Sequence, residues 1–113
     1  MRKYSTLYTL DLAFAEICSV TWKRVKFFDE DMATSAKALG LARGFIDNTC
    51  NVVQSRELLQ RAFELAVEEG ITAYDALFLC LAQESGLQLL TTDEKLHQKV
   101  ARSSKLTGLT RLG

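Results

Sequence analysis

From Thr72 to Glu84 the sequence reads TAYDALFLCLAQE, apolar on nearly every side of a helix and carrying one carboxylate, Asp75. A helix apolar all round has no face to give to water, so it belongs in the middle of a fold. Ser85-Gly86 closes it. The run Leu87–Leu90 follows, and Gln88–Thr91 reads as a short continuous strand of the kind found in a parallel sheet covered on both faces. Another helix is expected from about Thr92 to Arg102. Helix, strand and helix in direct succession predict α/β architecture. In such sheets, sites form beyond the carboxyl ends of strands, where Asp93 lies.

The N-terminal half reads as helices. Leu10, Phe14, Ile17, Thr21, Val25 and Phe28 recur at steps of three and four, which predicts a helix over Leu10–Phe28 with Thr9 as its N-cap. A second helix is expected from about Asp31 to Ile46, with Met32, Ala36, Leu39, Ala42, Arg43 and Ile46 inward. Arg43 has no explanation in that stripe. Asn48 is expected to break the helix, and Asn51–Val53 reads as a brief extended piece. Ser55 looks like the N-cap of a third helix that ends at Gly70, with Leu58, Leu59, Ala62, Phe63, Ala66 and Val67 as its apolar face. The segment LTGLTRL is a candidate closing strand. The chain has no proline, linker or repeat, so its 113 residues read as one domain able to bury roughly 65% of its unfolded surface.

Fourteen basic and fourteen acidic residues cancel, so no global field marks a nucleic-acid or membrane binder, although a local basic rim remains open. No stretch approaches the roughly 18 apolar residues of a membrane span, and the N-terminus has no signal-peptide pattern. A soluble, cytoplasmic protein is expected. Cys18, Cys50 and Cys80 are odd in number and too widely spaced for a zinc site, and read as small buried hydrophobes in a reducing compartment.

The acids have structural explanations first. Thr72 with Asp75, and Thr91 with Glu94, match capping boxes, each worth about 1 kcal/mol, and leave Asp93 as a first-turn acid. Glu16 lies within LAFAEICSV, where no cap is possible, and its plain reading is a boundary position reaching solvent. Taken together the three suggest more. Two unit charges ~4 Å apart repel by ~4 kcal/mol at an effective dielectric of ~20, more than a cap contributes. If Glu16, Asp75 and Asp93 converge, a cation must lie between them, and all-oxygen ligands favour Mg²⁺ or Mn²⁺ over zinc. Such an ion can activate water and stabilise the leaving oxygen of a phosphodiester.

Two segments carry a resemblance. GITAYDALFLCLAQESGLQLLTTDEKLHQKV is similar to the C-terminal half of a PIN domain of the VapC toxin type, with its aspartate in YDA and its strand end before a second aspartate. TLDLAFAEICSVTWKRV resembles the family's glutamate-bearing helix and its basic end. The resemblance covers roughly Leu7 to Val100. It implies a PIN-like, helix-rich α/β fold with a short parallel sheet. It also implies Glu16, Asp75 and Asp93 as metal ligands, Thr91 as a supporting hydroxyl, and Mg²⁺- or Mn²⁺-dependent RNA cleavage. Toxin–antitoxin pairing and dimers are common in the family. PIN domains begin with a hydrophobic strand ending in an aspartate, and nothing in MRKYSTLY resembles it. The expected fold is therefore a PIN-like domain short at its N-terminus, whose three-acid site binds metal more weakly.

Other residues divide between two readings. Lys23, Arg24, Lys26 and Arg56 form a solvated face or hold RNA phosphates. His97 reads as a surface histidine rather than a base. Trp22 and Phe28 pack helix on helix or form a dimer face. Three functions are left standing. One is an impaired or active metal-dependent ribonuclease. Another is an interaction module that forms a homodimer or binds an antitoxin protein through an exposed sheet edge. The third is a plain helical scaffold.

Overall fold

The computed structural model describes residues 7–91 and 93–113. In order these form β1 (Tyr8–Leu10), α1 (Leu12–Phe28), α2 (Met32–Thr49), β2 (Asn51–Val53), a 3-10 turn (Ser55–Glu57), α3 (Leu59–Glu69), α4 (Ala73–Ser85), β3 (Leu89–Thr91), α5 (Glu94–Arg102) and β4 (Thr110–Leu112). The fold is α/β, helix-rich, with short parallel sheets, as the sequence predicts. Contacts gather into two compact units, one ending at Gln54 and the other starting at Ser55.

In the N-terminal unit, β1 pairs in parallel with β2, with Tyr8 opposite Asn51 and Leu10 opposite Val53. Thr9 and Leu10 thus belong to a strand, and the helix begins two residues later than its periodicity indicates. Pairing across the sheet outweighs the local stripe. Leu10 is fully buried, and the Asp11 N–H donates to the Val53 carbonyl at 3.0 Å, which ends the ladder where the helix starts. Of the segment MRKYSTLY, residues 1–6 lie outside the described residues, and Tyr8 is part of β1.

Helices α1 and α2 pack as a hairpin. Phe14, Ile17, Thr21 and Val25 are half-buried, as their spacing predicts, while Phe28 is 77% exposed. No residue of α1 is fully buried. Asp31 caps α2 by accepting the Thr34 N–H at 2.9 Å. The inward positions of α2 are Ser35, Leu39, Ala42 and Ile46; Met32, Ala36 and Arg43 are exposed. Arg43 therefore needs no apolar explanation, and it lies 3.6 Å from Asp47 one turn on. Asn48 does not break the helix. Its side chain donates to the Gly44 carbonyl at 2.8 Å, a bond back along the helix that leaves the chain helical to Thr49.

In the C-terminal unit, Ser55 opens a 3-10 turn rather than capping α3, and its carbonyl accepts the Leu58 N–H at 2.9 Å. Leu58, Ala62 and Leu65 are buried as α3 packs on α4, whereas Leu59, Phe63 and Val67 lie on the exposed side. Helix α4 is as central as its composition demands, with Ala76, Leu77, Leu79, Cys80, Leu81 and Ala82 all buried. Gly70 (φ 65°) and Gly86 (φ 70°) end α3 and α4 in the left-handed region that only glycine adopts readily. The predicted closing strand is β4, parallel to β3 with Leu89 opposite Thr110 and Thr91 opposite Leu112. Strand β3 is not covered on both faces, because Leu90 is 68% exposed.

Candidate functional site

Helix α4 begins at Thr72, whose extended backbone and hydroxyl make it the N-cap. The hydroxyl accepts the Asp75 N–H at 3.0 Å. That is the forward half of the predicted capping box. The reverse half is not formed. Among the described residues the Asp75 carboxylate has no hydrogen-bond or ion-pair partner, although the residue is half-buried. Both of its oxygens are therefore open to a cation.

Asp93 is positioned differently, and here the sequence reading needs correcting. Thr91 and Glu94 do not form the second capping box. Asp93 is itself the N-cap of α5, and its Oδ1 accepts the Leu96 N–H at 3.1 Å. The Thr91 hydroxyl, at the end of β3, accepts the Asp93 N–H at 3.0 Å. Thr91 thus fixes the backbone of the aspartate that follows the strand. The predicted helix start at Thr92 falls outside the described residues.

Asp75 and Asp93 line one hollow of about 240 Å³ in the C-terminal unit. Gly70, Ile71 and Thr72 form one wall, and Lys95, Leu96 and Lys99 of α5 another. Two helix N-termini and one strand end thus bring two acids from distant parts of the sequence to the same cavity. One Asp93 oxygen is engaged in the cap, which leaves the other, and both Asp75 oxygens, as donors. Hard oxygen ligands with room for water suit Mg²⁺ or Mn²⁺, which commonly bind through one or two carboxylates and retain several waters. The donor set fits such an ion. Among the described residues, no group of three or more histidine, cysteine or acidic side chains is arranged to hold a metal.

The lysines of this hollow escaped the sequence reading. Their signal was present: Lys95 and Lys99 stand four residues apart on the helix that Asp93 caps, and so share one face. Lys99 Nζ donates to the Gly70 carbonyl at 3.0 Å.

Glu16 lies on α1 in the N-terminal unit and is exposed, beside a hollow that Ile17, Val20, Arg24 and Glu30 also line. Lys23, Lys26 and Arg56 are exposed as well, whereas Arg24 approaches Glu30 at 3.7 Å. His97 is half-buried and held by its Nδ1 at 2.7 Å from the Thr110 hydroxyl, a packing role. None of the three cysteines is in a disulfide; Cys50 and Cys80 are buried as expected, but Cys18 is exposed because it falls on the outer side of α1. Burial pushes the Cys80 thiol above its usual range. No helix among the described residues is long and apolar enough to cross a membrane.

Comparison with known proteins adds to this geometry. The sequence model for the PIN domain matches residues 1–102 and so runs through both compact units. The chain is 37% identical over 95 residues to Ribonuclease VapC3 of Pyrobaculum aerophilum, a match covering 82% of this chain and 70% of that protein.

Proposed function

We propose, from the premise that this chain belongs to the PIN domain family, that it is a Mg²⁺- or Mn²⁺-dependent endoribonuclease of the toxin–antitoxin type. The observation that carries the reading is the hollow shared by Asp75 and Asp93. Similarity to a protein named as a ribonuclease supports the substrate class. Both units are taken as parts of one PIN-like domain, acting in the cytoplasm.

Asp75 and Asp93 would hold the ion, with Thr91 keeping the Asp93 backbone in place. Glu16 is included as the third ligand because its segment resembles the family's glutamate-bearing helix, not because of its distance from the pair. A bound divalent ion supplies water activation near neutral pH and stabilises negative charge on phosphoryl oxygens. The chain contributes in Asp75 a carboxylate with no partner among the described residues, and in Asp93 one anchored to the backbone. No side-chain general base is required, consistent with His97 being engaged by Thr110. Lys23, Lys26 and Arg56 are exposed cations available to RNA phosphates away from the cleavage point.

Mn²⁺ titration by calorimetry tests the site, alongside cleavage of a single-stranded RNA. Saturable binding and cleavage, both lost in Asp75→Asn, are expected. No heat of binding up to millimolar Mn²⁺ overturns the reading.

One observation favours a second role on the same fold, which is assembly with a copy of itself or an antitoxin protein. Helix α1 has no buried residue, and Trp22, Phe27 and Phe28 at its end are 55%, 63% and 77% exposed. Apolar surface of this kind marks interaction sites. An incomplete metal site with intact assembly would make the chain an interaction module rather than an enzyme.

A further inference from the structure

We infer that Lys95 and Lys99 are positioning residues that hold the RNA phosphate at the Asp75–Asp93 hollow, with Lys99 the fixed member of the pair. The inference rests on the ribonuclease reading and deepens it by naming which of the chain's cations meet the substrate at the cleavage point.

Charge makes the first argument. Two aspartates and one divalent ion sum to zero, and Glu16 as a third ligand would make the sum negative, so the acids and the ion together have no net attraction for a phosphodiester anion. The chain as a whole is neutral and supplies no long-range field either. Lys95 and Lys99 are the cations that line this hollow, one helical turn apart on α5. They add two positive charges on the wall beside the acids.

Partnership makes the second. Neither lysine forms an ion pair with an acid among the described residues, whereas Arg61 and Lys105 in the same unit are paired with Glu84 and Glu68. Lys99 is instead held by a neutral acceptor, the Gly70 carbonyl at the end of α3. A helix C-terminus favours a cation without neutralising it. The ammonium is thereby anchored by one hydrogen bond to a neutral acceptor and has two N–H bonds still to give. Phosphate recognition by lysine as a point charge needs this. Lys95, exposed like Lys99 but with no such anchor among the described residues, can follow the next phosphate.

The test is binding of a fluorescein-labelled single-stranded RNA to the full chain in EDTA, read by anisotropy across a salt series. Lys99→Gln is expected to flatten the slope of log affinity against log salt by about 0.7, the value for one lost phosphate contact on a single strand. Lys95→Gln should do the same, and Lys99→Arg should restore most of the wild-type slope. With Mn²⁺ present, Lys99→Gln should raise KM more than it lowers kcat, and calorimetric Mn²⁺ affinity should not fall. Lys95→Gln keeps the test sound if Lys99→Gln fails to fold, because Lys95 anchors no carbonyl. A wild-type chain that neither binds nor cleaves RNA overturns the inference together with the reading beneath it. A wild-type chain that binds RNA, with slopes unchanged in folded Lys99→Gln or Lys95→Gln, overturns the inference alone.

Discussion

Asp93 has two tasks that chemistry can separate. Its carboxylate caps α5 through the Leu96 N–H, and the same residue lines the candidate metal hollow. Asparagine caps about as well as aspartate but is a poor ligand for Mg²⁺, whereas alanine does neither. Asp93→Ala is expected to lower unfolding stability by about 1 kcal/mol, while Asp93→Asn leaves the urea midpoint nearly unchanged. Both should lose Mn²⁺ binding in calorimetry. Asp75→Asn should cost no stability, because the Asp75 carboxylate caps nothing. An equal loss of stability in Asp93→Asn and Asp93→Ala would show that charge, not capping, holds the helix start. Cysteine exposure gives another residue-scale expectation. In the native protein Cys18 should react with a thiol reagent, while Cys50 and Cys80 should react only after denaturation. Three equally fast thiols would contradict the burial seen here.

Helix α2 is the element whose own sequence most limits it. Gly40 and Gly44 sit in its interior with open space where a Cβ would be. Glycine costs an exposed helix up to about 1 kcal/mol relative to alanine. Gly40→Ala and Gly44→Ala are each expected to raise stability by up to that amount, as shown by a higher melting temperature. The start of α2 is pH-sensitive. The Thr34 N–H, and then its hydroxyl, hold the Asp31 carboxyl below its usual pKa. The stabilisation is present above the ordinary aspartate value of about 4 and is lost as the pH falls through the lowered folded value. In acid unfolding curves, the stability of wild type relative to Asp31→Asn should therefore be constant above about pH 4 and fall as the pH drops from there through the lowered folded value. A difference that appears only in acid would contradict the cap. Helix limits were largely legible in sequence where caps are local: Thr72 and Gly86 on α4, Asp31 on α2, Gly70 after α3. They were misread at Thr9–Leu10, whose partner is the distant strand Asn51–Val53, and also at Asn48 and Ser55, where a local bond favoured a different turn of the backbone.

At the scale of the molecule, the exposed apolar side chains are the feature a lone chain leaves unsatisfied. Trp22 and Phe28 on α1, Met32 on α2, and Phe63 and Val67 on α3 are each more than half exposed. Sedimentation velocity is expected to show concentration-dependent association that Phe28→Lys weakens without lowering the melting temperature. A monomer throughout the micromolar range would rule out self-association through these side chains. RNA cleavage by the same sample would then separate assembly from activity.

The sequence by itself determined what depends on near neighbours and on composition. It showed a central apolar helix and its caps, a strand with Asp93 just past its end, and segments similar enough to the PIN domain to single out Glu16, Asp75 and Asp93 as candidates. Those features are set within a few residues by hydrogen-bond caps, helical period and the cost of exposing apolar surface. Only the tertiary structure decided which side chains share a cavity. Asp75 and Asp93 line one hollow, and Lys99 reaches across to the end of α3. Those are contacts between elements, and residue spacing along a chain carries no record of which helix faces will meet.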